Sequence, residues 1–390
     1  MRISINKSSP LSLSFFPISA HELTKMLFAK QRRVPTRIFF HSLLTNAYTF
    51  PCMKKTSIYD IAKRVGVSAA TVSYVLNGKE GKVSPATKKK VFQAMEELGY
   101  TRDHAAVSLS TGKSHLIGLI LPYSSPAKAF LFNPFYAEFL GFFEEILKKE
   151  GYDVIIGSDE EGFEQWYKSR ALDAVMVLGS LSKKAEQTLL KVNAKVVLAD
   201  VYESYDAPFP NVRFHDEKAE YLATRHLISL GHKSIGYLGG PDTSIVNHKR
   251  FCGYEKALME YDYPIPKDCI FRSMTTLEGG YQMGDLIQKK LNRISAIVVD
   301  ADIVAIGLIR RLLELGVKLP DQLSIVGFDD IQPAQYIFPP LTTIHQDIKE
   351  KATLSARAIL DEVKGTVREE CSFIIEPSLT VRSSTAKRRQ

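Results

Sequence analysis

Residues 56–78 read TSIYDIAKRVGVSAATVSYVLNG and predict two short helices joined by a tight turn. Apolar side chains recur at i, i+3, i+4 and i+7 from Ile58 to Val65, which is the spacing of one helical face. Gly66 supplies the turn, and Ser68 can cap a second helix. Two short helices around such a turn form a helix-turn-helix, whose second helix enters the major groove of DNA.

The ends of these helices carry further signals. Ser57 and Asp60 have the spacing of a capping box at the start of the first helix. Ser84 and Pro85 predict the start of a third helix, and Gly99 predicts its end. The residues expected on the inner faces of the second and third helices are Val72, Val75, Leu76, Val91, Met95 and Leu98. The opposite side of the second helix is expected to carry Ala69, Ala70, Ser73, Tyr74 and Asn77.

The charge of the 390-residue chain, +8 in total, is distributed unevenly. Residues 1–52 carry seven Lys and Arg against one acid, and residues 53–112 carry ten against five. The remaining 278 residues hold 34 basic and 37 acidic groups. A basic front end on a nearly neutral body is typical of proteins that bind a polyanion, although a solvated basic surface gives the same composition.

The first 52 residues lack a sustained hydrophobic period. Residues 11–20 faintly resemble the apolar part of a signal peptide, but Pro17 interrupts them. We therefore expect an over-extended start or a disordered arm, with the functional protein opening at Met53. Four isolated cysteines without metal-ligand or disulfide spacing fit a reducing cytoplasm, and no apolar run reaches membrane-spanning length. The cysteines are Cys52, Cys252, Cys269 and Cys371.

From residue 116 the pattern changes to short apolar runs that alternate with helical stretches. This repetition predicts an α/β body built on buried parallel strands. The predicted strands are residues 116–121, 153–157, 173–179, 195–200, 234–239, 295–300 and 323–329. The predicted helices between them include residues 134–150, 217–230, 248–260 and 302–315. Neither a dinucleotide-binding nor a phosphate-binding glycine motif accompanies the strands, so no nucleotide cofactor is expected.

Three segments together resemble the lactose repressor (LacI) family. They are residues 56–78, quoted above, residues 83–100 (VSPATKKKVFQAMEELGY) and residues 104–122 (HAAVSLSTGKSHLIGLILP). The resemblance continues to about residue 383. It implies an all-α helix-turn-helix head and a two-lobed body that resembles periplasmic binding proteins. The implied divisions are 1–52 (extension), 53–102 (DNA-binding domain), 103–114 (hinge), 115–383 (effector-binding and dimerisation domain) and 384–390 (basic tail).

The resemblance also implies residue roles in DNA binding. Ala69, Ala70 and Tyr74 match the base-reading positions, but many members have Arg where this chain has Tyr74. Because Arg is the usual reader of guanine, the operator sequence is left open. The residues that match phosphate-contacting or positioning roles are Ser57, Ser68, Thr71, Ser73, Asn77, Ser84, Thr87 and Tyr100.

Residues 103–110 match the family's hinge helix. Small residues such as Ala106 would let two hinge helices pack together in a dimer. Leu109 corresponds to an apolar wedge that opens a central minor-groove step. A helix of this length is unstable alone, so the cost of ordering it could couple effector binding to DNA binding. An ordinary linker is the alternative.

Polar residues at the ends of the predicted strands are candidates for an effector site between the lobes. Arg250 and Asp329 match ligand-contacting positions of the family. Asp200 ends a strand and either contacts the effector or caps the next helix. Phe135 and Tyr136 either line the pocket or belong to the core. The family's ligand-binding Asn is replaced by Ala301, which leaves Asp302 with a structural role.

The sequence therefore predicts a homodimeric transcription regulator, most often a repressor in this family, that binds a pseudo-palindromic DNA operator. A sugar or a similar polar ring compound is the expected effector. Two alternatives remain: an effector that is a phosphorylated carrier protein, and a solute-binding protein of a transporter. No catalytic constellation stands out around His215, His226 or His232, and neither a metal, a cofactor nor a membrane partner is expected.

Overall fold

The structure is a computed structural model that describes residues 56–76, 81–100, 112–121, 133–157, 163–179, 183–202, 209–242, 244–366 and 372–388. The chain divides into two compact units, residues 1–102 and 103–390. Each unit is considered by itself.

The first unit contains three helices: α1 (Ile58–Val65), α2 (Ala69–Leu76) and α3 (Pro85–Glu97). Gly66 has φ +76°, so a left-handed residue ends α1 and turns the chain into α2, as the sequence predicts. The buried core consists of Ile61, Ala62, Val72, Val75, Val91 and Ala94. Met95 and Leu98 are only half-buried, because Ala94 takes the central place expected for Met95.

The second unit contains two six-stranded sheets, each of which forms one lobe. The first lobe has strand order β11-β5-β4-β3-β1-β2, all parallel. Its strands are β1 (Leu116–Ile120), β2 (Asp153–Gly157), β3 (Ala174–Leu178), β4 (Val196–Ala199), β5 (Asn211–Phe214) and β11 (Ser372–Ile375). Its helices are α4 (Pro134–Lys149), α5 (Phe163–Arg170), α6 (Lys183–Lys191) and α11 (Ile348–Lys364).

The second lobe has strand order β12-β10-β9-β8-β6-β7. Its strands are β6 (Ile235–Gly239), β7 (Ile270–Arg272), β8 (Ala296–Val299), β9 (Ser324–Asp329), β10 (Thr342–His345) and β12 (Ser378–Thr380). Its helices are α7 (Asp216–Ser229), α8 (Ile245–Glu260), α9 (Leu277–Gln288) and α10 (Asp302–Glu314). All pairs are parallel except β10 with β12.

The chain crosses between the lobes three times. It leaves the first lobe between β5 and α7, returns between β10 and α11, and leaves again between β11 and β12. Aromatic side chains continue the core across the lobe boundary, because the rings of Phe214 and Phe328 lie 5.8 Å apart at 80°. The polar ends of β4, β5, β8 and β9 therefore come together beside these crossovers.

All seven predicted strands are present, and the predicted α/β class with parallel sheets is confirmed. The expectation that every one is buried is wrong for β2, which lies at a sheet edge and is half-exposed. The antiparallel β12 also departs from the all-parallel expectation. None of the helices in the described part of the chain could span a lipid bilayer.

Candidate functional site

Helix α2, which the sequence predicts to enter the major groove, presents a mixed surface. Ala70 is exposed, whereas Ser73 and Tyr74 are half-buried. The ammonium group of Lys82 lies 5.3 Å from the centre of the Tyr74 ring, which places a positive charge beside this aromatic side chain. A ring next to a cation can reach a base edge while the cation approaches a phosphate.

Several predicted phosphate-contacting hydroxyls lie at helix N-termini, where they cap the helix. The backbone N–H of Thr71 donates to Oγ of Ser68 over 3.1 Å. The backbone N–H of Thr87 donates in the same way to Oγ of Ser84 over 3.2 Å. Ser57 donates its backbone N–H to the carboxylate of Asp60 over 2.9 Å. These caps fix the starts of all three helices, and helix N-termini attract phosphate groups.

Two predicted positions differ from expectation. Ala69 is half-buried and packs against the core of the helical unit, so it does not lie wholly on the outer side of α2. The helix begins at Ala69, and its first turn folds back onto the core. Tyr100 also packs its ring against this core, which leaves the hydroxyl as its polar end. Asn77, Ala106 and Leu109 lie outside the described residues.

In the body, the two aspartates predicted at strand ends share an unusual backbone. Asp200 has φ +53° and Asp329 has φ +112°, both in the left-handed region. Residues other than glycine adopt this region at a cost, and such residues concentrate at functional sites. The turns direct both carboxylates toward the lobe boundary, where the next contacts are made.

Arg250, on α8, is the central cation of the site. Its Nε donates to Oδ1 of Asp216 over 2.7 Å, and its Nη1 donates to the backbone oxygen of Asp300. The guanidinium carbon lies 3.6 Å from the centre of the Phe328 ring. Burial alone would lower the pKa of Arg250, but the surrounding carboxylates Asp216, Asp329 and Asp300 outweigh it and raise the pKa. Arg250 is therefore charged and held on three sides.

Lys351, on α11, is a second buried cation and is fully inaccessible to solvent. Its ammonium group donates to both oxygens of Asp200, over 2.7 and 2.6 Å, and also to Gln346. Gln346 donates in turn to Asp329 over 3.1 Å. Among the described residues, the Asp200 carboxylate therefore bonds to Lys351 and not to the start of a helix. It begins a hydrogen-bonded chain that runs from the first lobe, through a crossover, to the second.

Aromatic rings lie between these two cations. Lys351 Nζ is 5.5 Å from the centre of the Phe214 ring and 5.4 Å from that of Phe135. Phe214 contacts Phe328, and Arg250 covers the far side of Phe328. The stack joins both lobes through cation–π and edge-to-face contacts.

The predicted aromatic pair divides between two environments. Phe135 is buried in the core, while Tyr136 is partly buried and packs against it. Asn133 accepts a hydrogen bond from the Phe135 N–H over 3.1 Å and so caps α4. Burial, reinforced by Asp200 and Asp329, raises the pKa of Tyr136 to about 12, so its hydroxyl remains protonated.

The acids of the site bind protons tightly. Burial raises the pKa of Asp329 to about 7 and that of Asp300 to about 6. Burial also raises the pKa of Glu220 well above its usual range, with repulsion from Asp300 as the next cause. Desolvation disfavours the charged form of a carboxyl group, and neighbouring negative charges add to the effect.

Sequence reasoning did not find several of these residues. Phe214, Asp216, Glu220, Phe328, Gln346 and Lys351 were all missed. Phe328 directly precedes Asp329, so its place at the same strand end could have been inferred. Lys351 and Glu220 lie in helices with no local signal for burial. Asp302 has a structural role: it accepts hydrogen bonds from the Ile331 N–H over 3.1 Å and the Thr343 hydroxyl over 2.6 Å.

The histidines hold the fold together. His232 is hydrogen bonded to Ser295 over 2.8 Å and to the backbone oxygen of Ala386 over 3.0 Å. His226 contacts Thr385 over 3.1 Å. Burial lowers the pKa of both imidazoles. They anchor the C-terminal segment on the second lobe and do not form a catalytic arrangement with a nucleophile.

Comparisons with known proteins agree with this architecture. Residues 57–103 match the family model of bacterial regulatory proteins of the lacI family, and residues 224–385 match that of the periplasmic binding protein-like domain. The chain is 30% identical over 340 residues to the HTH-type transcriptional repressor PurR of Vibrio parahaemolyticus, covering 85% of this chain and 99% of that protein.

Two solved structures show the same fold. The lac repressor dimer bound to operator and the anti-inducer ONPF has a TM-score of 0.74 at 26% identity, covering 85% of this chain and 100% of that one. A LacI family regulator from Enterococcus faecium with bound ribose has a TM-score of 0.64 at 28% identity, covering 70% and 100%. The chain belongs to the lacI family of bacterial regulatory proteins and is a DNA-binding regulator of transcription, not an enzyme.

Proposed function

We propose that this regulator is a homodimeric repressor whose affinity for operator DNA is changed by a small polar ring compound bound between the two lobes of the body. The arrangement that carries this proposal is the Arg250–Phe328–Phe214–Lys351 stack, to which both lobes contribute. A ligand that contacts both halves of such a stack would favour one lobe angle over another.

The DNA-binding part rests on the helical unit. We assign base contacts to Ala70 and Tyr74, with a lesser contribution from the partly buried Ala69. Phosphate contacts are assigned to the capped helix starts that carry Ser57, Ser68, Thr71, Ser84 and Thr87. Ser73, Asn77 and Tyr100 are further candidates. Residues 103–114 are assigned as the hinge, with Ala106 at the hinge contact and Leu109 as the minor-groove wedge.

The effector part rests on the chemistry of the cleft. Arg250 and Asp329 offer directional hydrogen bonds to ring hydroxyls, and Tyr136 adds a protonated hydroxyl. Aromatic faces such as Phe135 and Phe328 suit the apolar side of a sugar or base ring. Asp200 is already paired with Lys351, so we assign it to holding the site rather than to the main ligand contact.

A second copy of the chain is supported by exposed apolar side chains on the second lobe. Tyr336 is 76% exposed and Phe338 is 78% exposed, and the two residues are two positions apart in the chain. Large apolar side chains clustered on a surface mark interaction sites. The dimeric state of the lac repressor in the solved complex suits the same assignment.

Operator selection with the full-length protein tests the DNA-binding role. Random duplexes would be enriched over successive rounds, and the enriched sequence is expected to be a pseudo-palindrome bound at least 10³-fold more tightly than random DNA. Tyr74→Ala should relax discrimination at one base pair of each half-site. No enrichment over random DNA at moderate salt would refute the proposal.

Effector control is tested with the selected operator and Arg250→Ala. The variant should bind operator DNA like the parent protein but lose its response to any sugar or nucleoside that shifts the parent. Lys256→Ala, an exposed change on the same helix, is the matched control. A parent protein that responds only to a phosphorylated carrier protein would instead favour protein-mediated control.

A further inference from the structure

Two buried carboxyl groups of the second lobe have oxygens that lack a hydrogen-bond partner among the described residues. Glu220, on α7, is fully buried, and neither of its side-chain oxygens has a hydrogen-bond partner among the residues that the structure describes. Asp300, at the end of β8, is 3% exposed. Its Oδ2 accepts a bond from the Gly240 N–H over 3.2 Å, but its Oδ1 has no partner within the same residues. Unsatisfied buried oxygens are costly, and natural proteins contain few of them.

These groups adjoin the proposed effector site. Arg250 donates to the backbone oxygen of Asp300, and its charge acts on the pKa of Glu220 as well. A Cβ atom at Gly239 would lie 2.8 Å from Asp300 Oδ2 and 2.8 Å from Arg272 Nη1, so the absence of a side chain there lets the Arg272 guanidinium lie beside Asp300. The unpaired oxygens therefore belong to the polar end of the cleft in the second lobe.

The cations around these acids each pair with a carboxylate, although Nη1 of Arg272 has no hydrogen-bond partner among the described residues. Arg250 pairs with Asp216 and Lys351 with Asp200. Arg272 donates to Asp242 over 2.5 Å. Beyond these three pairs the described part of the site holds four more buried carboxyl groups, Glu220, Asp300, Asp302 and Asp329, so acids outnumber cations. Asp302 has two hydrogen-bond donors of its own, and Asp329 accepts from Gln346. Both oxygens of Glu220 and Oδ1 of Asp300 therefore remain open to a ligand.

We propose that the effector carries a cationic nitrogen, such as the amino group of an amino sugar, and that Asp300 and Glu220 bind this nitrogen. This inference rests on the proposed effector site. The ring of the same molecule lies against Phe328, and its hydroxyls reach Arg250 and Asp329. A cation satisfies both the unpaired oxygens and the excess negative charge.

Other ligand charges fit less well. An anion such as a sugar acid or a sugar phosphate would add negative charge beside three carboxyl groups, with only Nη1 of Arg272 as a buried cationic donor without a partner in the described part of the site. A neutral polyol could donate hydrogen bonds to the oxygens, but it leaves the negative charge of the ionised carboxyl groups uncompensated. The site therefore ranks ligands as amine above neutral above acid, for rings of the same shape.

Titration calorimetry on the full-length protein tests this ranking with two matched sets at pH 7.5. The sets are glucosamine, glucose and glucuronate, and galactosamine, galactose and galacturonate. In at least one set the amine should bind at least tenfold more tightly than the neutral sugar, about 1.4 kcal/mol. A neutral or acidic sugar that binds as tightly as its amine would overturn the proposal. So would the failure of both amines to bind at millimolar concentration.

Two isosteric variants locate the selectivity. Asp300→Asn and Glu220→Gln should each weaken amine binding at least tenfold and leave the neutral sugar within threefold. Asn at position 300 can still accept from the Gly240 N–H, so the fold is preserved, and thermal melting verifies this. Glu217→Gln, an acid on the same helix that pairs with Lys256 over 3.2 Å, is the matched control and should change nothing. Unaltered amine affinity in both variants would remove these carboxyl groups from the site.

The pH dependence gives an independent readout. The charged and titratable groups around Asp300 and Glu220 are Asp216, Tyr237, Arg250, Arg272 and Asp329. Because burial raises the pKa of Asp300 to about 6, an amine must displace protons at low pH, and its affinity should rise between pH 5.5 and 7.5. An amine affinity that stays flat over this range would contradict the proposal.

The outcomes separate this proposal from the function on which it rests. A neutral sugar that binds the cleft and alters operator affinity, with no preference for its amine, refutes only the cationic effector. A protein that binds amines with the predicted ranking but selects no operator refutes the DNA-binding function instead.

Discussion

The helical unit and the cleft of the body use polar groups in opposite ways. In the helical unit the hydroxyls of Ser68 and Ser84 are exposed, and each accepts from a backbone N–H three residues away. In the cleft, carboxylates, a guanidinium and an ammonium group are buried and bond to residues as far as 151 positions away. The bonds of the helical unit join residues close in sequence and exposed to solvent, whereas those of the cleft join residues far apart in sequence and shielded from water.

This difference indicates how much free energy single interactions contribute in each region. A DNA-binding surface needs groups that remain open to phosphates, so its internal bonds are each worth only about 1 kcal/mol. A site that must discriminate among similar small molecules gains from fixed, desolvated charges, whose loss costs several kcal/mol. Changes in the cleft should therefore disturb stability more than changes in the helical unit.

The largest effect is expected for Lys351→Met. Removing the ammonium group leaves Asp200 buried without its cation, which should destabilise the body by about 3–5 kcal/mol. Chemical denaturation of the full-length protein, followed by circular dichroism, measures the loss. Lys364, on the same helix, pairs with Glu150 over 3.5 Å at the surface. Lys364→Met is therefore the control and should destabilise the body by less than about 1 kcal/mol. Adding Asp200→Asn to Lys351→Met should recover part of the loss, and no recovery would contradict the pairing.

A second large effect is expected from pH. Because the folded state raises the pKa of Asp329 to about 7 and that of Asp300 to about 6, it holds protons that the unfolded chain releases near pH 4. The stabilisation is complete below pH 4 and is lost as the pH rises through 6 and 7. The free energy of unfolding should fall by about 2–4 kcal/mol between pH 5 and 8, since one pKa unit is about 1.4 kcal/mol.

Asp329→Asn tests the assignment of this slope. Asn tolerates the left-handed backbone at this position, so the variant should fold and show a flatter profile between pH 5 and 8. Glu145→Gln is the control, because the bond from Lys149 lowers the pKa of Glu145 and its proton binding falls outside this window. An unchanged slope in Asp329→Asn would show that other groups carry the pH dependence.

A smaller effect is expected for the cap of α3. Ser84→Ala removes the acceptor for the Thr87 N–H and should destabilise the helical unit by about 1 kcal/mol. Ser84→Asp keeps a capping oxygen, so it should preserve stability while adding a negative charge where DNA is expected. Thermal melting and operator binding together separate the two roles. Full stability in Ser84→Ala would refute the cap.

The smallest effect is expected for Arg64→Ala. Arg64 and Glu97 join α1 to the end of α3 over 2.8 Å, but their side chains are 60% and 42% exposed. Such a surface pair is worth between 0 and about 1 kcal/mol and weakens with salt. A double-mutant cycle with Glu97→Ala measures the coupling. A coupling above 2 kcal/mol would place this pair with the buried ones.

Local patterns in the sequence determined the helical unit almost completely. The i, i+3, i+4 spacing of α1, the turn at Gly66 and the Ser-Pro start of α3 each specify structure within a few residues, because caps and turns are short-range interactions. The strands of the body were equally evident where apolar runs were long. The three-residue β7 and β12 were not predicted, because three residues are too few to show a period. The four-residue β5, β10 and β11 were not predicted either. In β5 and β10 polar residues interrupt the apolar run, whereas β4 and β8, of the same length, are continuous apolar runs.

The sequence by itself determined the family, the two-part architecture and the strand-end aspartates as candidates. Only the tertiary structure decided which charges meet. Lys351 faces Asp200, and Arg250 faces Asp216, because three crossovers bring the ends of distant strands and helices to one boundary. No local period encodes such pairs: burial and charge compensation depend on neighbours that are far apart along the chain.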